Sequence, residues 1–131
     1  MRERFRWFTL AVAPCVALIL SAQQPAPKPT VPPMTPAAGI DFGDEMMIKG
    51  RYREAIVAYQ RARLASPDKA QRVRAGAGEV KGILRMGGFE SAVDEAAALL
   101  ESVPGDPQAM AVLGDALWAA GRFSSCARVP L

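Results

Sequence analysis

The side chains best placed to do chemistry in this chain are two cations. Lys81 and Arg85 stand four residues apart, so on a helix they share one face, which is either a solvated basic surface or a place to hold a carboxylate. Little else suggests a reaction centre. There is no histidine, which removes the commonest general base and metal ligand. The two cysteines, Cys15 and Cys126, lie far apart, and no Cys/His cluster with metal-binding spacing exists. Gly76-Ala77-Gly78 falls inside a helix-period segment rather than after a strand, so it is a poor phosphate loop. The acidic residues read as helical surface, with no histidine or thiol beside them. No chemical step and no cofactor are expected. The chemistry left is noncovalent binding.

Charge is distributed unevenly. Residues 49–85 hold ten basic and three acidic side chains, whereas 86–121 hold six acidic and no basic ones. This predicts attraction between neighbouring parts of the fold, head-to-tail self-association, or electrostatic choice of partner. Nucleic acid is not an expected partner, because aromatics do not interleave with the cations. The formal charge of +3 overstates the basicity. Without residues 1–22 the chain carries 13 basic and 12 acidic groups.

That leading segment reads as a secretory signal. Arg2, Arg4 and Arg6 precede an apolar run, Trp7–Leu20, followed by small and polar residues from Ser21. From Trp7 to Ala22 it would span about 24 Å as a helix, short for a bilayer crossing, and Pro14 weakens its middle. Residues 1–22 are therefore expected to be a cleaved signal, or else a short anchor that would be the chain's only membrane contact. Cys15 lies within the apolar run rather than at its end, which argues against lipidation. Residues 23–35 form a proline-rich linker, dense enough in proline to favour extended polyproline geometry and to forbid a helix. These features predict export to the periplasm or beyond in a bacterium, with inner-membrane anchoring if the signal is retained.

Lys81 and Arg85 need a helical scaffold to hold them, and beyond the linker the chain repeats itself. Gly50-Arg51-Tyr52-Arg53-Glu54-Ala55 returns as Gly87-Gly88-Phe89-Glu90-Ser91-Ala92 and as Gly121-Arg122-Phe123-Ser124-Ser125-Cys126, with starts 37 and 34 residues apart. A period near 34 is the signature of stacked helix pairs. Thr35-Pro36, Asp68 with Gln71, and Asp106-Pro107 supply N-caps for three first helices near 36, 69 and 107. Gly50, Gly87 and Gly121 break the chain before each second helix. Ala55, Ile56, Tyr59, Ala62 and Arg63 recur at helical spacing over 52–65, as do Ala92, Val93, Ala96, Leu99 and Leu100 over 89–102.

These units resemble the tetratricopeptide repeat family. Gly50 through Tyr59, with Ala62 and Pro67, is the best match, and Phe42-Gly43, Met110, Leu113-Gly114, Leu117, Gly121 and Phe123 extend it. Glu79-Val80 replaces the large-small pair in the middle unit, where Gly76, Gly78 and Gly82 dilute the first helix. The resemblance covers about residues 36–126. It implies an all-α, right-handed helix-pair solenoid, with units 36–67, 68–104 and an incomplete 106–131 truncated at its C-terminal end. It also implies that Gly43, Gly114, Ala55, Ala62 and Ala92 allow close backbone approach, while Tyr52, Phe89 and Phe123 wedge between helices.

In that family, first helices line a concave face that binds a protein or peptide. Transferred to this chain, the face comprises Asp44, Met47 and Ile48, then Arg74, Lys81, Leu84 and Arg85, then Asp115 and Trp118. Trp118 is the natural anchor; it is equally placed to pack on the unfinished second helix. The family's carboxylate clamp uses asparagines, and this chain has none. The expected function is that of an exported scaffold or adaptor. The alternatives are the repeat region of a longer exported enzyme, such as a peptidase, or a self-associating structural element. Leu113, Leu117 and Trp118 are expected to lack cover, giving an apolar C-terminal patch and marginal stability.

Overall fold

The computed structural model describes residues 33–126. The expected signal at residues 1–22, residues 23–32 of the expected linker and residues 127–131 lie outside that range. Six helices succeed one another: α1 (Pro36–Ile48), α2 (Tyr52–Ala65), α3 (Lys69–Arg85), α4 (Phe89–Ser102), α5 (Pro107–Ala119) and the short α6 (Phe123–Cys126). The described residues contain no strand, so this part of the chain is all-α.

The ends of the helices are set by local chemistry. Thr35 accepts from the Ala38 amide at 3.4 Å, Asp68 from Gln71 at 2.9 Å, and Asp106 from Gln108 and Ala109 at 3.0 and 3.1 Å. Each bond satisfies an amide that the first turn leaves without a partner. The backbone amides at Ala109 and Gln108, together with Lys69, hold the Asp106 carboxyl below its usual range. At the other end, α1, α3 and α5 stop in the same way. Gly50, Gly87 and Gly121 adopt φ of 70°, 78° and 72°, a region open to glycine at little cost. The residue after each glycine then donates back to the carbonyl of Met46, Ile83 or Leu117. The repeated glycine motif is thus a repeated Schellman turn.

Consecutive helices pack on one another from α1 through α6, and α1 also packs on α3, and α3 on α5. Apolar residues from neighbouring helices form the interior. Ile40, Met46, Ala55, Tyr59, Ala62 and Ala75 meet at the N-terminal end. Val73, Leu99, Val103 and Ala109 form a middle group. Ala77, Val80, Ala92, Val93, Ala96, Val112, Ala116 and Leu117 fill the C-terminal end. Ile40 and Leu99 are each 1 % exposed, and burying such a side chain stabilises by about 1.5–3 kcal/mol.

The glycines of α3 overturn the expectation that they merely weaken it. A Cβ at Gly76 would stand 2.6 Å from Leu99, one at Gly78 2.6 Å from the Tyr59 ring, and one at Gly82 2.7 Å from Ile56. A Cβ at Gly43 on α1 would meet the same Tyr59 ring at 2.6 Å. Tyr59 therefore lies between two helices at the points where each lacks a side chain. The lost helix propensity, about 1 kcal/mol per glycine, is what lets the backbones come close.

Three further expectations are corrected. Gly114 makes no close approach, since nothing lies within 4 Å of a Cβ placed there. Leu117 is covered, at 6 % exposure, by Val112, Ala116 and residues of α3 and α4. Phe89 and Phe123 do not wedge between helices: they sit at the first position of α4 and α6 and remain 46 % and 60 % exposed.

Candidate binding surface

The nine positions transferred to the concave face separate into three groups. Asp44 and Arg74 are joined to each other. Arg74 Nη2 lies 2.8 Å from Asp44 Oδ2 and 3.7 Å from Asp41, so one guanidinium ties α3 to α1. The Tyr59 hydroxyl donates to the other Asp44 oxygen at 2.6 Å. Burial, followed by this bond to Asp44, raises the Tyr59 pKa well above its ordinary value. Asp44 and Arg74 thus brace two helices as well as facing solvent.

Met47 and Leu84 form the second group. Both are half-buried and pack on interior residues, Met47 at the N-terminal end and Leu84 at the C-terminal end.

The third group is exposed. Ile48 is 87 % exposed and Trp118 68 %. Lys81, Arg85 and Asp115 reach solvent as well, and none of the three makes an ion pair with another described residue. Lys81 and Arg85 are one turn apart on α3, the spacing that presents two cations to one carboxylate. Trp118 meets Phe123 edge-to-face, with ring centroids 6.3 Å apart at 71°, a preferred geometry for aromatic pairs. The indole is therefore steadied by α6 yet still mostly open to solvent.

A buried polar cluster escapes a reading of the sequence that places every acidic residue on a surface. Glu79 is 1 % exposed. Gln60 donates to its Oε1 at 2.8 Å, and Arg63 Nε lies 3.0 Å from its Oε2. The Nε–H is not aimed along a hydrogen bond, so charge holds this contact. Arg63 then reaches Glu95 at 3.1 Å. Burial pushes the Glu79 pKa up, with Gln60 and Arg63 pulling against it. One signal was available: Arg63 falls in phase with the apolar stripe of α2, and a cation there needs a buried acid.

The uneven charge is partly neutralised within the fold. Arg63–Glu95 and Lys69–Asp106, the latter at 3.5 Å, join the basic and acidic stretches. Such partly exposed pairs contribute little individually. Arg53 on one side, and Asp94 and Glu101 on the other, form no ion pair among the described residues.

An apolar groove of about 450 Å³ runs between α4 and α5. Ala97, Leu100, Met110 and Leu113 line it, Glu101 stands in its wall, and the turn at Pro104 and Gly105 closes one end. Nearby, the surface at Gly114 stays open, whereas the equivalent glycine of α1 receives Tyr59.

Among the described residues, no group of three or more His, Cys, Asp or Glu side chains is arranged to hold a metal ion. No helix of this region is long and apolar enough to cross a membrane. No protein-family model matches the chain, and no curated protein is similar to it at a significant level.

Proposed function

We propose that this is an exported tetratricopeptide-like repeat protein. It binds a protein or peptide noncovalently and serves as a scaffold or adaptor in a bacterial cell envelope. The observation that carries this reading is the set of exposed groups on the first helices. Lys81 and Arg85 offer two cations one turn apart that no described carboxylate pairs, and Trp118 offers an exposed aromatic face steadied by Phe123. Such a set suits a ligand with an acidic group beside an apolar side chain. The right-handed stacking of helix pairs belongs to the same proposal. It is supported by three Schellman turns in register and by packing of α1, α3 and α5 in succession. The signal-like residues 1–22 support export.

The test is selection of a displayed peptide library on the full chain, with affinity measurements on the enriched peptides. Enrichment of acidic-apolar sequences whose binding weakens on Lys81→Glu and on Trp118→Ala would support the assignment. Enriched peptides indifferent to both substitutions would remove this surface from consideration.

A further inference from the structure

We infer that the groove between α4 and α5 receives the outer face of α2 from a second copy of this chain. This surface is separate from the one formed by Lys81, Arg85 and Trp118.

The observation begins with α2. Its buried residues are Ala55, Ala58, Tyr59 and Ala62. Arg53, Val57 and Leu64 fall within about 40° of arc on the opposite side, since residues advance by about 100° each. Arg53 is exposed, Val57 is half-exposed, and Leu64, an apolar side chain with no covering helix among the described residues, is 83 % exposed. A cation and two apolar residues thus form one stripe along a helix already folded against α1 and α3.

The α4–α5 groove has the complementary character. Its floor and walls are Leu100, Met110 and Leu113, and the edge along α4 carries Glu101, with Asp94 and Glu90 further back on the same side of the helix. Glu101 and Asp94 have no cation at ion-pair distance among the described residues, and Arg53 has no carboxylate there. The charges that folding leaves unpaired are therefore of opposite sign on the two surfaces.

Their spacing also agrees. When α2 of the second copy lies parallel to α4 with Leu64 on Leu100 and Met110, Arg53 falls about 16 Å back along the axis. Eleven residues back along α4 from Leu100 and Glu101 are Phe89 and Glu90. Arg53 therefore comes level with the turn from Glu90, which already meets Arg122 at 3.5 Å, to Asp94, unpaired among the described residues. Apolar contact and charge contact are made in one register. This is helix-in-groove recognition, with the apolar stripe supplying affinity and the charges fixing direction. Each copy carries both surfaces, so the contact closes into a dimer or extends into a chain according to the rotation it imposes.

The experiment is sedimentation of the full 131-residue chain and its variants at low and high salt, with circular dichroism reporting the fold. The wild type should associate, more weakly at high salt. Leu64→Asp should raise the dissociation constant on the order of tenfold or more while leaving helicity unchanged. Arg53→Asp and Asp94→Lys should each weaken association alone, and an equimolar mixture should restore it, because each copy then meets a complementary partner. A monomeric wild type would overturn the inference. So would association that is indifferent to Leu64→Asp, or two weakened charge variants that fail to rescue each other. Loss of peptide binding on Lys81→Glu with association intact would leave the inference standing, since the two surfaces do not share residues.

Discussion

Glu79 and Arg63 meet at 3.0 Å across α3 and α2, the carboxylate 1 % exposed and the guanidinium side chain 21 %. A buried ion pair gains Coulomb energy but loses hydration on both sides, and the loss can exceed the gain. Burial, joined by the nearby charge of Glu95, raises the Glu79 pKa despite the opposing pull of Gln60 and Arg63.

The raised pKa fixes the sign of the pH dependence. The folded state holds the Glu79 proton more tightly than the unfolded state, whose value is near the ordinary 4.5. Its contribution to stability is full below that pH and is lost as pH rises through the elevated folded value. Urea denaturation of wild type and Glu79→Gln should show the wild type losing ground to the variant as pH rises above the ordinary 4.5. A gap independent of pH would contradict this account.

Removing the cation alone should be far worse than removing the acid. Arg63→Met removes the cation beside buried Glu79 and leaves Gln60 and the like charge of Glu95 around it. The carboxyl is then either uncompensated or driven to take up a proton, at a cost of about 3 kcal/mol near neutrality. The penalty should shrink in acid, as Glu79 becomes neutral. An Arg63→Met variant as stable as wild type at pH 7 would show that the carboxylate finds another partner.

Two glycines at equivalent positions should respond oppositely to alanine. Gly43→Ala drives a Cβ into the Tyr59 ring at 2.6 Å, and overpacking of this kind costs about 1–3 kcal/mol. Gly114→Ala meets nothing within 4 Å and should stabilise by about 0.5–1 kcal/mol through helix propensity. Thermal melting of both variants checks the pair. Equal shifts would refute the difference in surroundings.

Tyr59→Phe keeps the ring and removes the bond to Asp44, which should cost about 1 kcal/mol below pH 10. Tyr59 has its folded pKa raised above the ordinary 10.0, so its contribution is present below that pH and fades above it. Wild type should lose stability faster than Tyr59→Phe as the solution becomes strongly alkaline.

Helix boundaries were legible in the sequence because their causes are local. Thr35, Asp68 and Asp106 cap the helices that begin after them, and Gly50, Gly87 and Gly121 end the helices that precede them. What lies across from a residue is not local, and there the sequence misleads. Gly76, Gly78 and Gly82 look like defects until Leu99, Tyr59 and Ile56 are seen against them. Gly114 looks like a close-approach point, yet a Cβ there would meet nothing within 4 Å. Glu79 resembles any exposed helical acid until Gln60 and Arg63 arrive from another helix. Within the candidate surface, Lys81 and Arg85 could be named from spacing and Trp118 from the family resemblance, whereas the Asp44–Arg74 brace and the groove at Leu100 and Met110 arise only from packing.

The Tyr59 ring, clasped by Gly43 on one side and Gly78 on the other, makes α1 and α3 partners in a single opening event. Separating either helix from the ring exposes buried ring surface, and separating α1 also releases the hydroxyl from Asp44. The slow-exchanging amides of α1 should therefore become accessible to deuterium together with those of α2 and the first half of α3, as one cooperative block. The first described helix would then be a member of the most protected unit, not a frayed end.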